Sequence, residues 1–94
     1  MPNPVLDFTK VEALRKHMLL NTTQMAKFLG VSRVTYSGWT KGKPIRKGND
    51  AKVRVALRKM FAVIESHQWP MPEVIAMTPA IRFNTLLEMT TEEE

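Results

Sequence analysis

The side chains in this sequence with chemistry to offer are cationic, and they are gathered in one stretch. Residues 27 to 59 hold ten of the fourteen lysines and arginines (Lys27, Arg33, Lys41, Lys43, Arg46, Lys47, Lys52, Arg54, Arg58 and Lys59) against a single acid, Asp50, so the stretch carries +9. Residues 60 to 94 set Arg82 against six glutamates, for −5, and the first 26 residues add +1, which gives the overall +5. A segregated charge of this kind attracts polyanions at one end of the chain and repels them at the other.

Other chemistries find little to work with. There is no cysteine, and His17 and His67 have no companions at ligand spacing, so neither a zinc site nor thiol chemistry is expected. Paired acids for hydrolysis, a phosphate-cradling glycine loop and a nucleophile beside a histidine are all missing. The expectation is therefore no enzyme, no cofactor and no small-molecule substrate. The opening Met-Pro-Asn-Pro lacks the basic and apolar regions of a signal sequence, and no apolar run approaches a membrane span. A cytoplasmic chain without membrane contact is expected.

The elements that must position the cations can be read from their start and stop signals. Asn21 with Gln24 forms a reciprocal capping pair, which predicts a helix from Thr22 with Met25, Ala26, Phe28 and Leu29 on its apolar positions. Gly30 suits the left-handed stop, and Val31 plugs the corner. Ser32 caps a second helix carrying Val34, Tyr36 and Trp39, which Gly42 ends. Two short helices around a three-residue corner are the punctuation of a helix-turn-helix.

Residues 21 to 43 resemble the lambda-repressor-like, or Cro/XRE-type, helix-turn-helix family. The likeness rests on Met25-Ala26, Gly30-Val31-Ser32 and Trp39-Thr40-Lys41-Gly42-Lys43, which stand at the family's fixed spacing. In such proteins the second helix lies in the major groove of duplex DNA with its first residues at base edges. The resemblance thus implies Arg33, Val34, Ser37 and Gly38 as base-contacting positions, with Thr22 and Thr35 near phosphates. Arg33 is the first choice for readout, since its fork fits a guanine edge, and Val34 suits a thymine methyl. Two positions depart from the pattern: Gly38 stands where a long polar reader is usual, and Thr22 replaces the common Gln. Both shift weight from direct readout toward DNA shape.

The rest of the chain reads as support. Residues 1 to 6 form a short arm. Thr9 with Glu12 is expected to cap a first helix of about three turns with Val11, Leu14, His17 or Met18, and Leu20 on its inner face. The loop from Lys43 to Asn49 is basic, and Lys41, Lys43, Arg46 and Lys47 are candidate phosphate contacts that position without specifying sequence. Asn49 or Asp50 then caps a long helix over about 50 to 66, with Val53, Ala56, Leu57, Met60, Phe61 and Ile64 inward and Arg54 and Arg58 outward toward phosphate. Trp69-Pro-Met-Pro72 is a break. Residues 73 to 77 read equally as a strand or a helical turn. Thr78-Pro79 opens a last helix through about Met89, with Ala80, Ile81, Phe83, Leu86 and Leu87 apolar, and residues 90 to 94 read as a disordered tail.

The expected architecture is all-α, a small bundle of about five helices. Residues 1–68 form the helix-turn-helix domain and 69–94 a C-terminal extension. Trp69, Met71, Val74, Ile75, Phe83 and Leu86 serve either the chain's own core or a two-fold interface, the latter preferred. The function implied is a sequence-specific double-stranded DNA-binding transcriptional regulator, Cro-like and phage-like, repressing from a palindromic operator as a homodimer. A protein-interaction adaptor or antitoxin on the same scaffold, or a DNA-packaging or origin-binding protein, is the alternative.

Overall fold

Helix boundaries in this chain are fixed by side chains that catch the free backbone N–H groups of each first turn. A computed structural model describes residues 6 to 92 and contains six helices over them. These are α1 (Phe8–His17), α2 (Thr22–Leu29), α3 (Arg33–Thr40), α4 (Lys47–His67), α5 (Pro72–Ile75) and α6 (Pro79–Glu92). The expected all-α bundle is what forms, and the sixth helix is the single turn α5, at the segment that sequence left open between strand and turn. The proposed arm lies almost wholly outside the described residues.

The two caps of the central unit form as expected. Asn21 Oδ1 accepts from Gln24 N at 2.7 Å while Asn21 N donates to Gln24 Oε1 at 3.1 Å, and Gly30 ends α2 at φ 78°. Ser32 Oγ accepts from Thr35 N at 3.0 Å to start α3, and Gly42, at φ 97°, turns the chain out of it.

Three boundaries differ from expectation. The first helix is capped by Asp7, whose Oδ1 accepts from Thr9 N at 3.0 Å, so Thr9 lies inside the helix and Glu12 is freed for other work. The long helix starts at Lys47, because Asp50 N already bonds Arg46 O at 2.8 Å. Neither Asn49 nor Asp50 is its cap, and Asp50 instead sits in the first turn, where the helix dipole favours an acid. The last helix runs to Glu92: Thr90 is buried, and the hydroxyls of Thr90 and Thr91 both donate to Leu87 O, so residues 90 to 92 are helical. The polar sequence there concealed a turn held by its own threonines. Residues 93 and 94 lie outside the described part.

One core joins all of this. Val11, Leu14, Met25, Leu29, Tyr36, Trp39, Val53, Met60, Trp69, Val74, Phe83 and Leu86 are buried in the same cluster. On α4 the inward row is Val53, Ala56, Met60 and Val63; Phe61, expected inside, is 53% exposed, and Leu57 and Ile64 are half-buried. The long helix lies over the bundle with a narrower stripe than a generous reading of its apolar residues suggests. On α6, Phe83 and Leu86 point inward, while Ala80 and Ile81 are exposed.

Of the side chains offered for a two-fold interface, Trp69, Val74, Phe83 and Leu86 are therefore buried in the chain's own core, Met71 is half-buried and Ile75 is exposed. Two bonding sets fasten this segment. Trp69 Nε1 donates to Met18 O at 3.1 Å, and the Arg82 guanidinium donates to the carbonyls of Val74, Ile75 and Met77 at 2.9, 3.0 and 2.8 Å. Arg82 thus ties the α5 segment to α6 through three carbonyls, of which Val74 O also accepts from Met77 N at 3.1 Å.

Glu12, released from capping, braces α1 against α3. Its Oε2 accepts from Arg15 Nε and Nη2 at 3.0 and 2.7 Å, and its Oε1 accepts from the Tyr36 hydroxyl at 2.8 Å. Burial acts to raise the Glu12 pKa, but the bonds from Arg15 and Tyr36 and the Arg15 charge outweigh it and hold the carboxyl below its ordinary 4.5. Burial first, and the Glu12 carboxylate second, push the Tyr36 phenol upward, so it stays the donor. A carboxyl with a lowered pKa stabilises the fold above the ordinary value, and that contribution is lost as pH falls through the folded value. Glu12→Gln is therefore expected to cost about 1 to 2 kcal/mol near neutral pH. In urea titrations the gap to the parent chain should narrow once pH drops below 4.5; a gap independent of pH would contradict the brace.

Candidate nucleic-acid interface

The second helix of the central pair is amphipathic in a way that decides which of its residues face solvent. Tyr36 and Trp39 face inward and are buried, and with Phe8 of α1 they form an aromatic triad with centroids 5.3, 5.9 and 6.1 Å apart. Phe8 was not singled out in the sequence; its signal was there, three residues before Val11 on the inner face of α1. With that side seated, Arg33 and Val34 are turned outward. Val34 is 78% exposed, an unusual position for a large apolar side chain next to a well-filled core.

Around this outer face the structure forms two adjoining hollows. The first, about 470 Å³, is lined by Thr22, Arg33, Val34, Ser37, Gly38, Lys41 and Lys43, so it brings together all four expected base-contacting positions with Thr22 and two lysines. The second, about 360 Å³, shares Val34, Gly38 and Lys43 and adds Thr35, Trp39, Pro44, Arg46 and Asn49. Among the described residues no acidic side chain lines either. Thr35 sits at the α3 cap, where its Oγ1 accepts from Ser32 Oγ at 2.8 Å, and Lys47 is exposed at the first position of α4.

Arg54 and Arg58 are placed elsewhere. They line a separate groove with Leu6, Leu57 and Phe61, and Arg54 Nε pairs with Asp50 one turn back. The rotation of α4 explains this: with Val53, Ala56, Met60 and Val63 turned inward, Arg54 comes to the side of α1 and Arg58 to the groove beside Leu6. They do not join the cations at the two hollows.

Gly38 has a local reason. A Cβ there would stand 3.1 Å from Lys43 Cδ and within 4 Å of Cγ and Cβ, so the missing side chain leaves a slot that the Lys43 methylenes cross. Lys43 N also donates to Gly38 O at 3.0 Å, which fixes the start of that crossing. The Lys43 side chain thereby lies against α3 and lines both hollows.

Comparison with protein-family models, with curated proteins and with solved structures returned no match. Among the described residues no helix is long and apolar enough to cross a membrane.

The slot yields a prediction about stability. Lys43 is exposed and flexible, so it can move aside for a methyl group, and α3 gains the helix preference of alanine. Gly38→Ala is expected to stabilise the fold by about 0.5 to 1 kcal/mol. Thermal unfolding checks it, and a lowered midpoint would mean that Lys43 is held more rigidly than its exposure indicates.

Proposed function

We propose that this chain is a sequence-specific double-stranded DNA-binding transcriptional regulator of the lambda-repressor-like kind, acting as a Cro-like repressor. The observation that carries the reading is the outer face of α3. Arg33 and Val34 stand in solvent on a helix whose other side is anchored, with Lys41, Lys43 and Arg46 beside them and no acid among the described lining residues.

In this reading α3 enters the major groove. The guanidinium of Arg33 donates two bonds to a guanine edge, and Val34 packs against a thymine methyl. Thr22, Thr35, Lys41, Lys43, Arg46 and Lys47 hold the flanking phosphates, which sets the register of the helix without reading sequence. Gly38 leaves the slot that the Lys43 methylenes cross, which keeps Lys43 beside the reading helix. Occupancy does the regulating, since a chain bound over a promoter excludes polymerase. A homodimer would set two such helices about 34 Å apart on successive turns of a palindromic operator.

Binding of this type releases counterions, so with about four phosphates neutralised per chain by Lys41, Lys43, Arg46 and Lys47, log affinity should fall against log salt with a per-chain slope of about −3.6. Arg33→Ala should cost about 1 to 3 kcal/mol on a duplex selected from a random pool and relax preference at one position of each half-site. An equal loss on random duplex would make Arg33 a phosphate contact. Lys43→Ala should weaken selected and random duplex alike and make the slope shallower by about 1; a loss confined to the selected duplex would contradict its role.

A further inference from the structure

A second concave surface lies away from the α3 hollows and shares no residue with them. It is a groove of about 590 Å³ between α2, α4 and α6, lined by Phe28, Leu29, Ala51, Val55, Ala56 and Leu87, with Thr90 and Thr91 at one end. Its floor is core: Leu29, Ala56 and Thr90 are buried, and the Thr90 hydroxyl is already satisfied by Leu87 O. Its wall is open, since Val55 is 44% exposed and Phe28 and Leu87 are half-buried.

Among the described residues the rim is of one sign: Lys27, Lys52 and Lys59 line the groove and no described acidic side chain does. Lys59 is engaged in a contact within the chain, so the charge on offer is that of Lys27 and Lys52, both exposed. An apolar trough between helices with cations along its edge is complementary to a helix bearing an apolar stripe flanked by acids. A bare polyanion would leave the apolar wall of Phe28, Val55 and Leu87 in water, and a neutral apolar helix would leave the lysines unanswered.

We propose that the groove between α2, α4 and α6 is a docking site for an acidic amphipathic helix of a partner protein. The helix lays its apolar side chains over Val55 and Leu87, and its carboxylates meet Lys27 and Lys52. Because no α3 residue lines the groove, the partner and a duplex can be held together, which would let a regulator on DNA recruit or be recruited.

The test uses the full chain and a fluorescent synthetic helix of about 16 residues, with leucines at i, i+4, i+7 and i+11 and glutamates on the flanks, beside a copy with lysines for the glutamates. Anisotropy should show the acidic peptide binding at least about ten-fold more tightly than the lysine peptide. Val55→Glu and Lys52→Glu should each weaken it by about ten-fold, while Val55→Glu leaves duplex binding unchanged. Equal binding of both peptides, no saturable binding, or indifference to both substitutions would overturn the proposal. So would sedimentation showing that the parent chain is dimeric and Val55→Glu monomeric, since the groove would then belong to a second copy. Loss of duplex binding in the parent chain would instead count against the regulator reading and leave the groove result standing.

Discussion

The seat of α3 is the constraint on which the rest depends. Tyr36 and Trp39 fill the space against Phe8, and the Tyr36 hydroxyl donates to a carboxylate that Arg15 holds in place. A helix of eight residues has too few backbone bonds to be stable alone, so its orientation comes from this packing. Once Tyr36 and Trp39 point inward, the 100° spacing of a helix turns Val34 and Ser37 outward, while Arg33, the first residue of α3, is exposed at the helix's open end. The exposed valine is thus a consequence of what is buried behind it.

The segment from 69 onward serves the same end. Trp69 bonds the carbonyl of Met18 at the corner between α1 and α2, and Gln24 Nε2, from the residue that caps α2, donates to Pro79 O at 3.2 Å. Arg82 joins α6 to the carbonyls of Val74, Ile75 and Met77. The C-terminal helices therefore complete the core beneath the central pair. The surface they leave to solvent includes Ile75 and Ile81, along with the lysine-rimmed groove beside Leu87.

Legibility in the sequence followed the range of the interactions involved. The caps at Asn21, Gly30 and Ser32 act within four residues, and there residue type and backbone geometry agree. Glu12 was misassigned because a capping box and a long-range brace ask for the same residue type; only the fold shows that Asp7 takes the cap and Tyr36 takes the carboxylate. Phe61 and Val63 were exchanged for a related reason. Both fit a helical period, and which lies inside depends on how α4 is rotated over the bundle. The same rotation carries Arg54 and Arg58 to the groove beside Leu6, whereas Lys41, Lys43 and Arg46, tied to the end of α3 by chain connectivity, stay with it. The apolar groove between α2, α4 and α6 gave no linear signal, since its walls come from three helices far apart in sequence.

The central claim is that the outward face of α3 is where this chain meets duplex DNA. Amide chemical-shift mapping with a duplex recovered from a random pool tests it most directly. The account predicts perturbations concentrated on Thr22, on residues 33 to 38 and on 41 to 47, with the amides around Val55 and Phe61 left in place. Perturbations centred on those two grooves, with α3 silent, would contradict it.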